Sequence, residues 1–471
     1  DTKYQYLYTR YGENDLFFRG RDRTKLLMSI LKSKKYDGGC GLDVRKLKYQ
    51  AAISDYFFLH DLVELRTLEA KFLTFCEMPW NMPVDDVKDY FGEKIGFYFL
   101  FLGHYTSWLG LASVLGFCCW CDVTDNDGDP NAPSMPVFAV LMAIWTQLFL
   151  EFWKRKQYRY AMQWGMRGFE KDAQPRPEFD GQTMPDPVKG RPYLYFPKSV
   201  ALRRMTISTT LITASIVVVV GVVAAIFAIE IAMREARDAM WLGMDQSKNV
   251  AAILTVVQIQ VFNVLYGGLA KLLNNYENHR TDNQYEDALI SKTFVFQFIN
   301  SFAALLYLAF VKPFLPMLDN CYESCMHELS TQLFVILTGN LVTANLTEIG
   351  MPALMQWWNK NSQKESEHYD YEDVTDIEKE SFKDEYDAMM GTFEDYAELM
   401  MQFGYTTLFV ASFPLAPILA FASNYVEIRV DAWKLCQLSK RPEPISAEDI
   451  GTWQRILEVM SLAAVLSNSA L

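Results

Sequence analysis

The stretch TTLFVASFPLAPILAFASNYVEIRVD, residues 406–431, decides the fold. It reads as an apolar run, a proline-marked corner at SFPLAP (412–417), and a second apolar run that ends in acid. Glu427 and Asp431 close it four residues apart, a spacing that stacks both side chains on one helix face. Upstream, EDYAELMM at 394–401 opens the same hairpin with Asp395 and Glu398, three residues apart and again on one face. Two antiparallel apolar helices thus carry four carboxylates to the same end. In lipid each ionised group costs roughly 2.5–3.5 kcal/mol on insertion scales, so such groups are rare and functional.

The rest of the chain extends this pattern. Over 471 residues the averages are bland, with 21% charged residues, a net charge of −13 and a mean hydropathy of −0.01. The averages hide segregation. Residues 1–93 and 359–394 are charged, whereas the remainder repeats apolar windows near the ~20 residues that cross a bilayer. Nine windows are read at 96–120, 135–153, 207–233, 249–273, 291–315, 329–357, 396–414, 416–433 and 453–471. The predicted class is a polytopic α-helical membrane protein, with 1–93 as a cytosolic domain, 94–471 as the transmembrane domain and 359–394 as an acidic cytosolic linker. The ninth window runs to the last residue, and the chain is expected to continue beyond it.

Basic residues near span ends set the orientation. KRKQYRYAMQWGMR after the second window, with Arg203 and Arg204 before the third, belongs to the cytosol. DVTDNDGDPNAPSMP between the first two windows is acidic, holds no Lys or Arg and faces away. Alternation then puts the N-terminal residues inside and the Cys321–Cys325 loop outside, where a disulfide is expected. Window six descends to the cytosolic side with Glu348 at its base. Glu348, Asp395, Glu398, Glu427 and Asp431 therefore meet at one depth near the inner leaflet.

Five carboxylates in a low dielectric repel one another and demand positive charge. Lys434 and Arg429 are near, although Arg429 points two residues away from the acid face. A hard divalent cation answers the demand better. Calcium takes six to eight oxygen ligands in flexible geometry, and two such ions would bring the site from about −5 to about −1. Zinc is disfavoured because no Cys or His stands among these residues.

These residues sit within stretches that closely resemble the anoctamin family of calcium-activated phospholipid scramblases and chloride channels. The resemblance is carried by FGEKIGFYFLFLGHYTSWL (91–109), FLEFWKRKQYRY (149–160), NLTEIGMP (345–352), the block from Met400 to Leu435 and RPEPISAEDIGTWQRIL (441–457). It implies ten membrane helices, nine of them visible here with the last absent. It also implies a small cytosolic α/β N-terminal domain and a homodimer. The family's two-calcium site falls on Glu348, Asp395, Glu398, Glu427 and Asp431. An asparagine ligand expected four residues before Glu348 meets Ala344 instead, with Asn345 next to it as the substitute.

Calcium binding is then expected to move window six, with Gly339, Gly350 and Pro352 as hinge candidates. The family implies that this motion opens a groove between windows four and six. Neutral polar residues are available to line it: Thr255, Gln258, Gln260 and Asn263 on window four, Gln297, Asn300 and Ser301 on five, and Gln332, Thr338, Asn340 and Thr343 on six. Such residues also bond across packed membrane helices, which is the plain structural alternative. An anion channel would line its pore with Lys or Arg; Lys271, Lys292 and Lys312 lie only at the ends. The expectation is a calcium-activated phospholipid scramblase, with a calcium-activated anion channel as the alternative. A proton-coupled transporter would put its acids at the midplane. No nucleophile–base set, phosphate loop or nucleic-acid signature is present, so neither an enzyme nor a nucleic-acid partner is expected. DVTDNDGDP lacks acids where a calcium loop needs them.

Overall fold

The computed structural model describes residues 18–33, 35, 38–74, 77–126, 132–168, 176–185, 192–235, 247–314, 321, 324–345, 350, 354 and 375–471. Each of the nine apolar windows contains a helix within these residues, and most of window six beyond Asn345 lies outside the description. They are α5 (Glu93–Asp125), α6 (Ser134–Gln163), α7 (Lys198–Glu235), α8 (Ser247–Glu277), α9 (Asp282–Leu306), α10 (Cys325–Asn345), α12 (Ala388–Thr407), α13 (Ala416–Trp433) and α14 (Thr452–Ala470). Helix α9 continues through a π turn, Tyr307–Val311, into a 3-10 turn, Lys312–Phe314. Five of these helical segments, α5 to α9, are long and apolar enough to cross a membrane by length and composition. The other four are shorter, at 18 to 21 residues, and carry acids or neutral polar residues along their length. Helix α12 is buried on most sides by its neighbours, so it can be more polar than a lipid-facing helix.

Helix α5 packs along α13 and α6, while α7, α8 and α9 form a second group. Helix α12 joins the groups, touching α5, α9, α10, α13 and α14. The SFPLAP corner is held by Gly116, whose missing side chain leaves room for the Pro414 carbonyl. Cys321 and Cys325 form the expected disulfide, with Cα atoms 5.2 Å apart. Lys312 and Glu328 make a buried ion pair at 2.7 Å between the ends of α9 and α10.

Preceding the bundle lie α1 (Gly20–Lys32), α2 (Val44–Tyr49), α3 (Leu62–Phe72) and α4 (Val84–Phe91). Asp43 and Asp61 cap α2 and α3 by accepting from backbone N–H groups of the first turn. Among the described residues of this region there is no strand, only an isolated bridge from Phe58 to Arg441, so the α/β expectation finds its helices alone; residues 1–17 lie outside the description. Among the described residues, one hairpin, β1 (Gln182–Pro185) with β2 (Pro192–Tyr195), lies in the α6–α7 connection. A six-residue helix, α11 (Asp376–Ser381), ends the acidic linker, whose residues 359–374 are not described.

The segment 439–451 ties the N-terminal helices to the bundle. Glu93, 2% exposed, accepts from Arg21 at 2.9 Å, Lys25 at 2.7 Å and Ser446 at 3.2 Å. Gly92 turns α4 into α5 at φ +103, where a Cβ would also meet Pro444 Cα at 3.0 Å. His60 is buried between Tyr90 Oη at 2.8 Å and the Ser439 carbonyl at 3.2 Å. Burial, reinforced by the nearby Lys383 and Arg441 charges, pushes its pKa down to about 4. The folded state therefore holds His60 neutral while the unfolded chain protonates below pH ~6.5. Stability is full above that pH and is lost as pH falls toward 4, by up to about 3 kcal/mol. In a melting series from pH 7.5 to 4.5, His60→Asn is expected to flatten the acid decline of Tm; an unchanged slope would refute this role.

Candidate cation site between α12 and α13

Helix α12 starts eight residues before its apolar window, because Asp387 caps it and accepts from the N–H groups of Met389 and Met390. Those two extra turns put Asp395 and Glu398 inside a formed helix rather than at its frayed end. Asp395 is 8% exposed and Asp431 on α13 is 2% exposed. Glu427 is half-buried and Glu398 exposed.

The two aspartates are held alike. One oxygen of each, Oδ2, accepts from a tyrosine hydroxyl, Tyr386 for Asp395 at 3.2 Å and Tyr98 of α5 for Asp431. The other oxygen of each, Oδ1, faces the Lys434 ammonium, at 3.7 Å for Asp395 and 3.9 Å for Asp431. A cleft of about 450 Å³ opens beside Asp395 and Glu398, bordered by Glu385, Asp387 and Lys434. Arg429, two residues off the acid face in sequence, reaches Tyr425 and Glu77. It donates to the carbonyls of Tyr425 at 3.0 Å and of Glu77, and lies over the Tyr425 ring.

Of the expected ligands, Asp395 and Asp431 converge on Lys434, Glu398 borders the cleft beside Asp395, and Glu427 lies one turn before Asp431 on α13. Glu348 lies outside the described residues, and so does the side chain of Asn345, the last residue of α10. Among the described residues, no group of three or more His, Cys, Asp or Glu side chains is gathered closely enough to hold a metal ion. The chemistry of the corner nonetheless suits a hard cation: the donors are carboxylate and phenol oxygens, and the gap between Asp395 and Asp431 already holds a positive charge. Tyr98 and Tyr386 were not legible as part of the site.

A sequence profile described as "Anoctamin: Calcium-activated chloride channel" matches residues 87–471. The chain belongs to the anoctamin family. It is 30% identical to human Anoctamin-7 over 97% of this chain and 58% of that protein. It is 30% identical to human Anoctamin-5, over 96% and 59%, and 29% identical to mouse Anoctamin-3, over 97% and 54%. The chain therefore spans between a half and three-fifths of the length of these curated relatives. Family membership and five apolar helices make this anoctamin an integral, multi-pass membrane protein. Its family is calcium-activated and comprises channels and scramblases rather than enzymes.

Proposed function

We propose that this anoctamin is a calcium-activated phospholipid scramblase that passes lipid headgroups along a polar groove between α8 and α10, with nonselective ion leakage through the same groove, and that it works as a homodimer. The observation that carries the choice over an anion channel is a ladder of neutral amides between α8, α9 and α10. Asn300 accepts from Gln258 at 2.5 Å and donates to Asn263 at 2.9 Å, while Gln260 donates to Asn340 at 3.0 Å. Between these rungs the described spans hold no Lys or Arg. The basic groups at their ends are engaged elsewhere, Lys271 with Glu394, Lys292 with Glu277 and Lys312 with Glu328. A chloride path would need those charges inside.

The ladder also explains how a groove could close without cost. Amides in hydrocarbon must find partners. Gln260 and Asn340 satisfy each other while α8 and α10 touch, and would turn to headgroup phosphates and glycerol oxygens when the helices part. We assign Glu348, Asp395, Glu398, Glu427 and Asp431, with Asn345, as the residues that hold two calcium ions per subunit. Bound calcium would supply the positive charge that lets Glu348, three residues after α10 in sequence, approach the other four acids. Tyr98 and Tyr386 hold one oxygen of each aspartate, leaving the other to face the ion.

The test is reconstitution in liposomes with fluorescent lipid in both leaflets and a parallel halide-flux readout. Calcium-dependent exposure of inner-leaflet lipid to an external quencher is the expected result. Chloride flux without lipid movement would replace this reading with the channel.

A further inference from the structure

Helix α13 carries its acids on a stripe that ends in a base. Glu427, Asp431 and Lys434 follow at i, i+4 and i+7, one above the other. At Lys434 the α-helix passes into a π turn, Lys434–Leu438. The side chain then returns along the helix until its ammonium lies 3.9 Å from Asp431 Oδ1 and 3.7 Å from Asp395 Oδ1. Those two oxygens are the ones that Tyr98 and Tyr386 leave to other partners. The ammonium therefore stands where an ion bridging α12 and α13 would stand. It is 26% exposed, at the cytosolic mouth of the corner, on a flexible four-carbon stem able to swing into water.

We propose that Lys434 is a tethered counter-cation that an incoming ion must displace, and that it sets both the affinity of this corner for calcium and its preference for divalent over monovalent cations. The inference rests on the calcium-site reading above. A tethered charge is present at high effective concentration, so its displacement weakens every competitor. A monovalent ion that replaces the ammonium leaves the local charge as it was and must shed its water; a divalent ion adds a charge beside the carboxylates. Only the second exchange gains electrostatically.

The experiment uses the full chain in lipid nanodiscs and reads calcium binding from the calcium-dependent rise in Tm, checked by equilibrium binding of radioactive calcium. Lys434→Gln is expected to bind calcium about tenfold more tightly than the parent, and Lys434→Arg to stay within about twofold of it. At constant ionic strength, exchange of choline for sodium should weaken calcium binding to Lys434→Gln and leave the parent unchanged. Lys434→Met replaces the Gln variant if that protein fails to fold. Calcium binding to the parent with equal affinity in Lys434→Gln, or with no new sodium competition, overturns the proposal. A parent protein whose Tm ignores calcium overturns the site reading instead.

Discussion

Vesicles carrying Glu427→Gln and Asp431→Asn together are expected to need at least about a hundredfold more calcium for half-maximal lipid exchange, because calcium affinity in oxygen sites spans decades with the number of ligand charges. Both substitutions keep size and hydrogen-bonding capacity. The Tyr98 hydroxyl that now donates to Asp431 still finds an amide oxygen, and Lys434 keeps Asp395. The folded state should therefore survive, and Tm in the absence of calcium should change little or rise, since two buried or half-buried charges near Asp395 are removed. That combination separates loss of an ion site from loss of a fold. A double variant with the parent's calcium midpoint would refute the assignment of α13 as half of the site. The same variant in a halide-flux assay asks whether one site serves both activities.

How much of this was legible beforehand follows from distance along the chain. The acid pairs on α12 and α13 were readable because each lies within one helical turn, where spacing alone dictates a shared face. The boundaries of α13, Ala416–Trp433, matched their apolar window, since Pro417 and the corner before it punctuate the start. Helix α12 was misjudged by two turns at its start, because DAMMGTFED shows no apolar run and its beginning is decided by the Asp387 cap and by burial against neighbours. Tyr98 could not have been found: it meets Asp431 from 333 residues away, inside a window of aromatics where nothing marks one tyrosine over another. The polar residues of the groove were legible as types, but not their pairing. Gln260 with Asn340 and Gln258 with Asn300 turn out to bond across helices, which is the packing arrangement that such residues adopt between membrane helices.

Replacing Gly339 is expected to release the groove from calcium. A Cβ on Gly339 would lie 2.9 Å from Val256 Cγ1 and 3.3 Å from Cγ2, so α8 and α10 touch here with no room for a side chain. Val256 cannot yield by rotation, because its β-branch is stiff in a helix. The next residue, Asn340, makes the bond to Gln260, so anything that wedges at 339 also stretches that rung. Two effects oppose each other in a substitution. Losing glycine stiffens a possible hinge in α10, by roughly 1 kcal/mol of helix propensity, and disfavours movement; the wedge favours the separated helices. Gly339→Ala and Gly339→Val lose the same hinge freedom, whereas the wedge grows with size, so their comparison isolates it. Gly339→Val is expected to raise lipid exchange without calcium about tenfold above Gly339→Ala, equivalent to about 1.4 kcal/mol in the equilibrium between touching and parted helices. A bulkier side chain that merely unfolded the protein would lower Tm and abolish the calcium response together. Normal Tm with no exchange in the absence of calcium, in both variants, would mean that α8 and α10 do not part along this line, and the groove would have to be sought between other helices.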